Sequence, residues 1–170
     1  MTIDSSKAVR RLVILAMIAA VYAAITVALG YFAYGPIQFR VSEALHLLAF
    51  FNPIFLPGLT LGVLIANFFS PYGLVDIVFG TMASFIALIL IRITRRTINN
   101  LFVASLWPTI INAIVIPFVF LIYGGEGISV ASFFPFAASV AAGQFVVLTA
   151  GYLILRATRN RYIIDIVENL

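Results

Sequence analysis

VSEALHLLAFFNPIFLPGLTLGVLIANFF, running from Val41 to Phe69, decides the fold. It is apolar for too long to be one upright membrane span, since about 20 residues are enough to cross a hydrocarbon core. Asn52-Pro53 places a turn signal inside it and Pro57-Gly58 follows, so the stretch divides into two short spans. Working outward, residues 12–34 form the preceding span, closed by Gly30 and the Tyr34-Gly35-Pro36 turn. Residues 74–91, 101–123 and 130–155 form the later spans, separated by an arginine-rich loop and by Gly124-Gly125-Glu126-Gly127. The expectation is an all-α integral membrane protein: six transmembrane helices in one bundle, a single domain over residues 1–170. No internal repeat, linker or low-complexity tract interrupts it.

Basic residues test that division independently, because Lys and Arg collect on the cytoplasmic side of short loops. All but one of the ten fall into three clusters: Lys7, Arg10 and Arg11; Arg92, Arg95 and Arg96; Arg156, Arg159 and Arg161. They share a side only when an even number of crossings separates them. The divided reading satisfies this and a merged span does not. A re-entrant hairpin in place of the second and third spans also keeps parity, so four spans plus a hairpin is the structural alternative. Either way both termini are cytoplasmic.

Composition agrees: 64% of the chain is hydrophobic, 9% is charged, and the mean hydropathy is +1.16, far outside the range of water-soluble domains. The pI of about 9.8 does not indicate nucleic acid, because the basic residues flank apolar runs and do not gather on one solvated face. With no cysteine and one histidine, there is no disulfide framework, no thiolate site and no two-histidine zinc helix. Neither a catalytic residue, a metal site nor a cofactor is expected. The basic N-terminus followed by an apolar run is similar to a signal peptide, but the run is too long, which predicts a retained first helix.

The tenth basic residue, Arg40, stands apart on the outer side, in Gly35-Pro36-Ile37-Gln38-Phe39-Arg40-Val41-Ser42-Glu43-Ala44-Leu45-His46. At α-helical spacing Arg40, Glu43 and His46 follow an i, i+3 pattern, each step descending about 4.5 Å. Ionisable groups at that depth are costly unless they face protein, water or a ligand, so they should point into the bundle. Asn67 and Asp76 flank the Ser70-Pro71-Tyr72-Gly73 turn, which predicts that Glu43, Asn67 and Asp76 share one outer layer. Asn112 and Gln144 are deeper candidates, with amides that both donate and accept. Tyr34, Phe39, Tyr72 and Phe133 lie near the same surface, suited to stacking on a flat ring and equally to an interfacial aromatic belt. Competing readings stand beside each. Arg40 with Glu43 reads equally as an interfacial ion pair. His46 reads as a hydrogen-bonded core residue, the three amides as interhelical ties, and Glu126 as a solvated loop residue. Asp76, with no basic neighbour in sequence, points to a ligand or to Arg40 across the bundle.

The first span carries Ala16, Ala20, Ala24 and Ala28 at every fourth position, thickened by Ala19 and Ala23. Such a stripe lets another helix approach closely, and from spacing alone packing within the bundle is the first reading.

At residues 35–45 the sequence resembles the QueT-type queuosine-precursor transporters, substrate-binding S components of energy-coupling factor transporters. The resemblance rests on Gly-Pro-Ile-Gln-Phe-Arg-Val-Ser-Glu-Ala-Leu there, with Pro57-Gly58-Leu59, Ile65-Ala66-Asn67 and Asp76-Ile77-Val78-Phe79-Gly80 following in order. It implies a bacterial plasma-membrane subunit that binds a 7-deazapurine on the outer side. It implies too that a transmembrane coupling (T) subunit and two ATPase subunits drive release inside. Ala16, Ala20 and Ala24 are similar to the small-residue motif by which S components touch the coupling subunit. The chain has no glycine-lysine phosphate loop, consistent with ATP hydrolysis by partners. A 7-deazaguanine such as preQ1 or preQ0, or queuine, presents two adjacent N–H donors beside a carbonyl. A carboxylate with an amide or guanidinium complements that edge. The candidate substrate-binding set, read from the residues and suited to that ligand, is Gln38, Arg40, Glu43, Asn67, Asp76, Asn112 and Gln144. Either carboxylate suits the donor edge, the other suiting an aminomethyl cation if the ligand carries one. An S component for another vitamin-like solute and an ion-coupled secondary carrier are the alternatives; acids near one surface and the lack of an inverted repeat weaken the carrier.

Overall fold

The computed structural model describes residues 5–124 and 129–158, which contain helices and turns and no strand. Glu126, Arg159 and Arg161, on which parts of the loop and charge readings fell, lie outside the described residues. The chain opens with α1 (Ser5–Ala28) and, after a break at Leu29, α2 (Gly30–Tyr34), so the expected first span is two helices. Next come a 3-10 segment (Val41–Leu47), α3 (Leu48–Phe51) and α4 (Phe55–Asn67). The break between α3 and α4 falls at Asn52-Pro53, where the Asn52 side chain accepts from the Ile54 N–H at 2.9 Å.

α5 (Gly73–Val75), a π-helical turn (Asp76–Gly80) and α6 (Thr81–Thr97) form one apolar helix of 25 residues. This helix extends through Arg92, Arg95 and Arg96, which therefore occupy its last turns, not a loop as expected. Asn99, at φ 52, terminates it in the left-handed conformation that asparagine tolerates. Asn100 then caps α7 (Leu101–Gly124), its side chain accepting from the Phe102 N–H at 2.9 Å. α8 (Val130–Ala157) starts at Ser129, whose hydroxyl accepts from the Ser132 N–H at 3.1 Å.

Four helices are long and apolar enough to cross a membrane: α1, the α5–α6 helix, α7 and α8. The two halves of residues 41–69 are shorter. α4 has 13 residues, which at about 1.5 Å each reach roughly 20 Å against a hydrocarbon core of about 30 Å. Exposure is inverted relative to a water-soluble protein, with Leu12, Met17, Met82, Ile114 and Phe145 outside and Arg40, Glu43, Asp76 and Gln144 inside. The chain is a multi-pass membrane protein.

α1 packs on α4, α4 on α6, α6 on α7 and α7 on α8, while the 3-10 segment contacts α1, α4, α7 and α8 and closes the bundle. Gly58 and Gly62 allow α4 its close approach: a Cβ at Gly62 would lie 2.9 Å from the Ala19 carbonyl oxygen. Ala19 and Ala23 are buried, whereas Ala16, Ala20, Ala24 and Ala28 are exposed on the other flank. The stripe is thus not consumed by packing within this chain. Toward the arginine-rich end the interior is apolar, built from Phe50, Phe55, Leu59, Leu88, Ile91 and Ala104.

Candidate functional site

Geometry at the opposite end follows from the helix type. Residues 41–47 are 3-10 helical, with Arg40 as the N-cap, and in a helix of three residues per turn positions i and i+3 eclipse. Arg40, Glu43 and His46 therefore share one face more strictly than in the α-helix expected, each step rising about 6 Å in place of 4.5 Å. All three are buried. Gln38, two residues earlier, takes a left-handed φ of 48, uncommon for a residue with a side chain. Its loop lies directly on α8, where a Cβ at Gly143 would stand 2.0 Å from the Ile37 carbonyl oxygen.

Arg40 reaches across the bundle to Asp76, with Nη2 to Oδ2 at 3.2 Å. Its Nε donates to the Ala33 carbonyl at 3.2 Å, and the guanidinium stands 5.3 Å from the Tyr34 ring centroid. The Tyr34 hydroxyl donates to the Ala66 carbonyl at 2.6 Å, and Tyr72 donates to the Tyr34 carbonyl at 2.9 Å. Asp76 opens the π-helical turn, in which backbone bonding is locally re-registered. Asn67 ties that turn down, its amide donating to the Asp76 carbonyl at 3.1 Å and to the Thr81 hydroxyl at 3.2 Å. Gly80 leaves room for the carboxylate, since a Cβ there would meet Asp76 Oδ1 at 2.3 Å.

Glu43 has different company. The Asn112 amide donates to both its oxygens, at 3.1 and 3.2 Å, and His46 Nδ1 approaches Oε2 at 3.4 Å without the alignment of a hydrogen bond. The His46 ring stacks on Tyr22 of α1, centroids 5.5 Å apart and planes 12° from parallel. Ser42 and Thr26 exchange a hydroxyl hydrogen bond at 2.6 Å. Gln144 donates to the Gln38 carbonyl at 3.4 Å.

All seven candidates from the sequence are buried, but their grouping differs from the expected layers. Glu43 pairs with the supposedly deeper Asn112, and Gln144 joins Gln38, while Asp76 and Asn67 form a separate group with Arg40. Tyr22 and Thr26 also belong to this interior, with the half-buried Thr81 at its edge. Sequence reading passed over Tyr22 and Thr26; their i, i+4 spacing beside the buried Ala19 and Ala23 was the available signal. Of the stacking candidates, Tyr34 and Tyr72 join the network, Phe39 is exposed, and Phe133 packs on Phe118.

Buried polar atoms without a hydrogen-bond partner concentrate here: both amide atoms of Gln38, both ring nitrogens of His46, the Tyr22 hydroxyl, Asn67 Oδ1, Asp76 Oδ1 and Gln144 Oε1. Such atoms are costly inside a protein and rare without a reason. They form a mixed set of donors and acceptors suited to a polar, planar solute. An open cleft of about 520 Å³, lined by Tyr31, Tyr34, Pro36, Phe69 and Tyr72, adjoins this layer through Tyr34 but includes none of the seven residues. The polar layer is buried beneath it; the cleft itself is mainly apolar. No group of three or more His, Cys, Asp or Glu that could hold a metal occurs among the described residues.

The family described as "QueT transporter" matches residues 12–160. A curated relative, the queuosine precursor transporter QueT of Lactococcus lactis subsp. cremoris (strain MG1363), is 42% identical over 79 residues. That match covers 45% of this chain and 46% of the relative, under half the relative's length. No solved structure gives a significant match.

Proposed function

The chain belongs to the QueT transporter family, a family of transporters and not enzymes, and on that premise we propose that it captures a queuosine precursor from the outer side of the membrane. In this reading it is the S component of an ATP-driven energy-coupling factor importer, working with a transmembrane coupling subunit and two ATPase subunits. The ligand is a 7-deazaguanine or queuine. The observation that carries the proposal is the buried polar layer, whose unpartnered donors and acceptors lie beside two carboxylates inside an apolar bundle. Asp76 Oδ1 and Asn67 Oδ1 are free to accept from ring N–H groups, and the Gln38 amide is free to donate to the ring carbonyl. Purification followed by mass spectrometry of the co-purified small molecule tests it. A deazaguanine is the expected result, and a chemically unrelated vitamin overturns it.

The six-helix count treats Val41–Phe51 and Phe55–Asn67 as two short spans; a hairpin in their place leaves parity unchanged. Both readings place the termini and the Arg92, Arg95 and Arg96 cluster in the cytoplasm. Because the chain has no cysteine, labelling of a single Asn99→Cys variant is unambiguous. Reaction with an impermeant thiol reagent applied outside intact cells overturns the orientation. Exposure of Ala16, Ala20 and Ala24 on an otherwise apolar flank supports their use as the contact with the coupling subunit.

A further inference from the structure

The two buried carboxylates are not equivalent. Asp76 is neutralised by Arg40 at 3.2 Å, while Glu43, wholly buried, has the neutral Asn112 amide and, at 3.4 Å, the His46 imidazole, which is a cation only when protonated. Every other described basic side chain belongs to the clusters at the two ends of the long helices: Lys7, Arg10 and Arg11; Arg92, Arg95 and Arg96; Arg156. The site therefore carries two carboxylates against one permanent cation, the Arg40 guanidinium, with the His46 imidazole beside Glu43. A buried charge without a permanent counter-ion is costly, and a cationic ligand supplies one. We infer that Glu43 is the specificity-determining residue for ligand charge, taking the ammonium of an aminomethyl-bearing deazaguanine and so selecting it over the neutral nitrile.

Division of labour follows from the free atoms. Asp76 keeps its charge engaged with Arg40 yet has Oδ1 unpartnered, so it accepts from the neutral ring edge without attracting a cation. Glu43 lies about 6 Å further along the 3-10 face than Arg40. An ammonium on a one-carbon arm brings three donors to a carboxylate that now receives one shared amide. Stacked on Tyr22 and lacking an aligned bond, His46 borders the same carboxylate without holding it.

This inference rests on the deazaguanine reading, and the test separates the two. Calorimetric titration of the purified full chain with 7-aminomethyl-7-deazaguanine and with 7-cyano-7-deazaguanine is expected to favour the aminomethyl compound by at least about tenfold. Glu43→Gln is expected to collapse that ratio to below about threefold, by weakening the aminomethyl ligand and sparing the nitrile. Asp76→Asn weakens both and leaves the ratio intact. Equal affinity for the two compounds in the unmodified protein overturns the inference while the deazaguanine reading stands, as does a ratio that survives Glu43→Gln. Binding of neither compound overturns both. The unmodified protein alone decides the first point, so the test does not depend on the variant folding.

Discussion

The two ends of the bundle are built on opposite principles. Toward the arginine-rich end, Phe50, Leu59, Leu88, Ile91 and Ala104 fill the interior with hydrocarbon. Arg92 there closes over the core by donating to the Phe50 carbonyl at 3.1 Å. At the other end the backbone leaves α-helical geometry twice, in the 3-10 segment and the π-helical turn, and the interior holds polar atoms without partners. Most of the unpartnered buried polar atoms lie at that second end, although Arg92 Nε at the first is also without a partner. On the proposed function, recognition belongs to the polar end and the packed core to the other, a contrast that substitutions can test.

The strongest way to break that contrast is Arg40→Met, which strands the Asp76 carboxylate in the interior. Removing one partner of a buried ion pair costs about 3–5 kcal/mol, so thermal stability should fall steeply and deazaguanine binding should disappear. Asp76→Leu added to Arg40→Met should recover most of the stability and none of the binding. If the double variant binds, the ion pair is structural only.

Leu59→Ala at the apolar end should cost about 2–5 kcal/mol, the usual range for truncation in a packed core. Ligand affinity measured below the melting transition should stay within about twofold, well under 1 kcal/mol. A large loss of affinity would show the two ends to be coupled.

Gly143→Ala sharpens the comparison, because the methyl cannot coexist with the Ile37 carbonyl oxygen at its present position. The loop bearing Gln38 must shift, and affinity should drop about tenfold with stability reduced by about 1–3 kcal/mol. Unchanged affinity would place Gln38 outside the site.

The smallest expected effect on binding comes from Ala20→Trp, on the lipid-facing flank of α1. Affinity should be unchanged, yet uptake in cells should fall because a bulky ring blocks close helix approach. Parallel loss of both would return the stripe to internal packing.

Legibility differed in the same way. Long apolar runs, the Asn52-Pro53 break and the isolated Arg40 were readable because hydropathy and turn chemistry are local properties. All seven polar candidates are buried, since charge and amide groups inside apolar runs have few stable alternatives. Their partners were readable only in part: Arg40 across the bundle was one of two partners expected for Asp76 and is the one found, whereas depth counted along straight α-helices placed Asn112 below Glu43, to which it donates. Tyr22 was missed because a tyrosine within an apolar run looks like ordinary packing until His46 is found stacked on it.

The sequence by itself determined a multi-helix membrane chain with its polar groups gathered toward one end, because the bilayer penalises each residue's polarity wherever it lies. Only the tertiary structure decided that Asp76 meets Arg40, and that Glu43 meets the Asn112 amide and His46 instead. Pairing is a distance between atoms on different helices, set by helix type, glycine contacts and crossing geometry, and no spacing along a single segment encodes it.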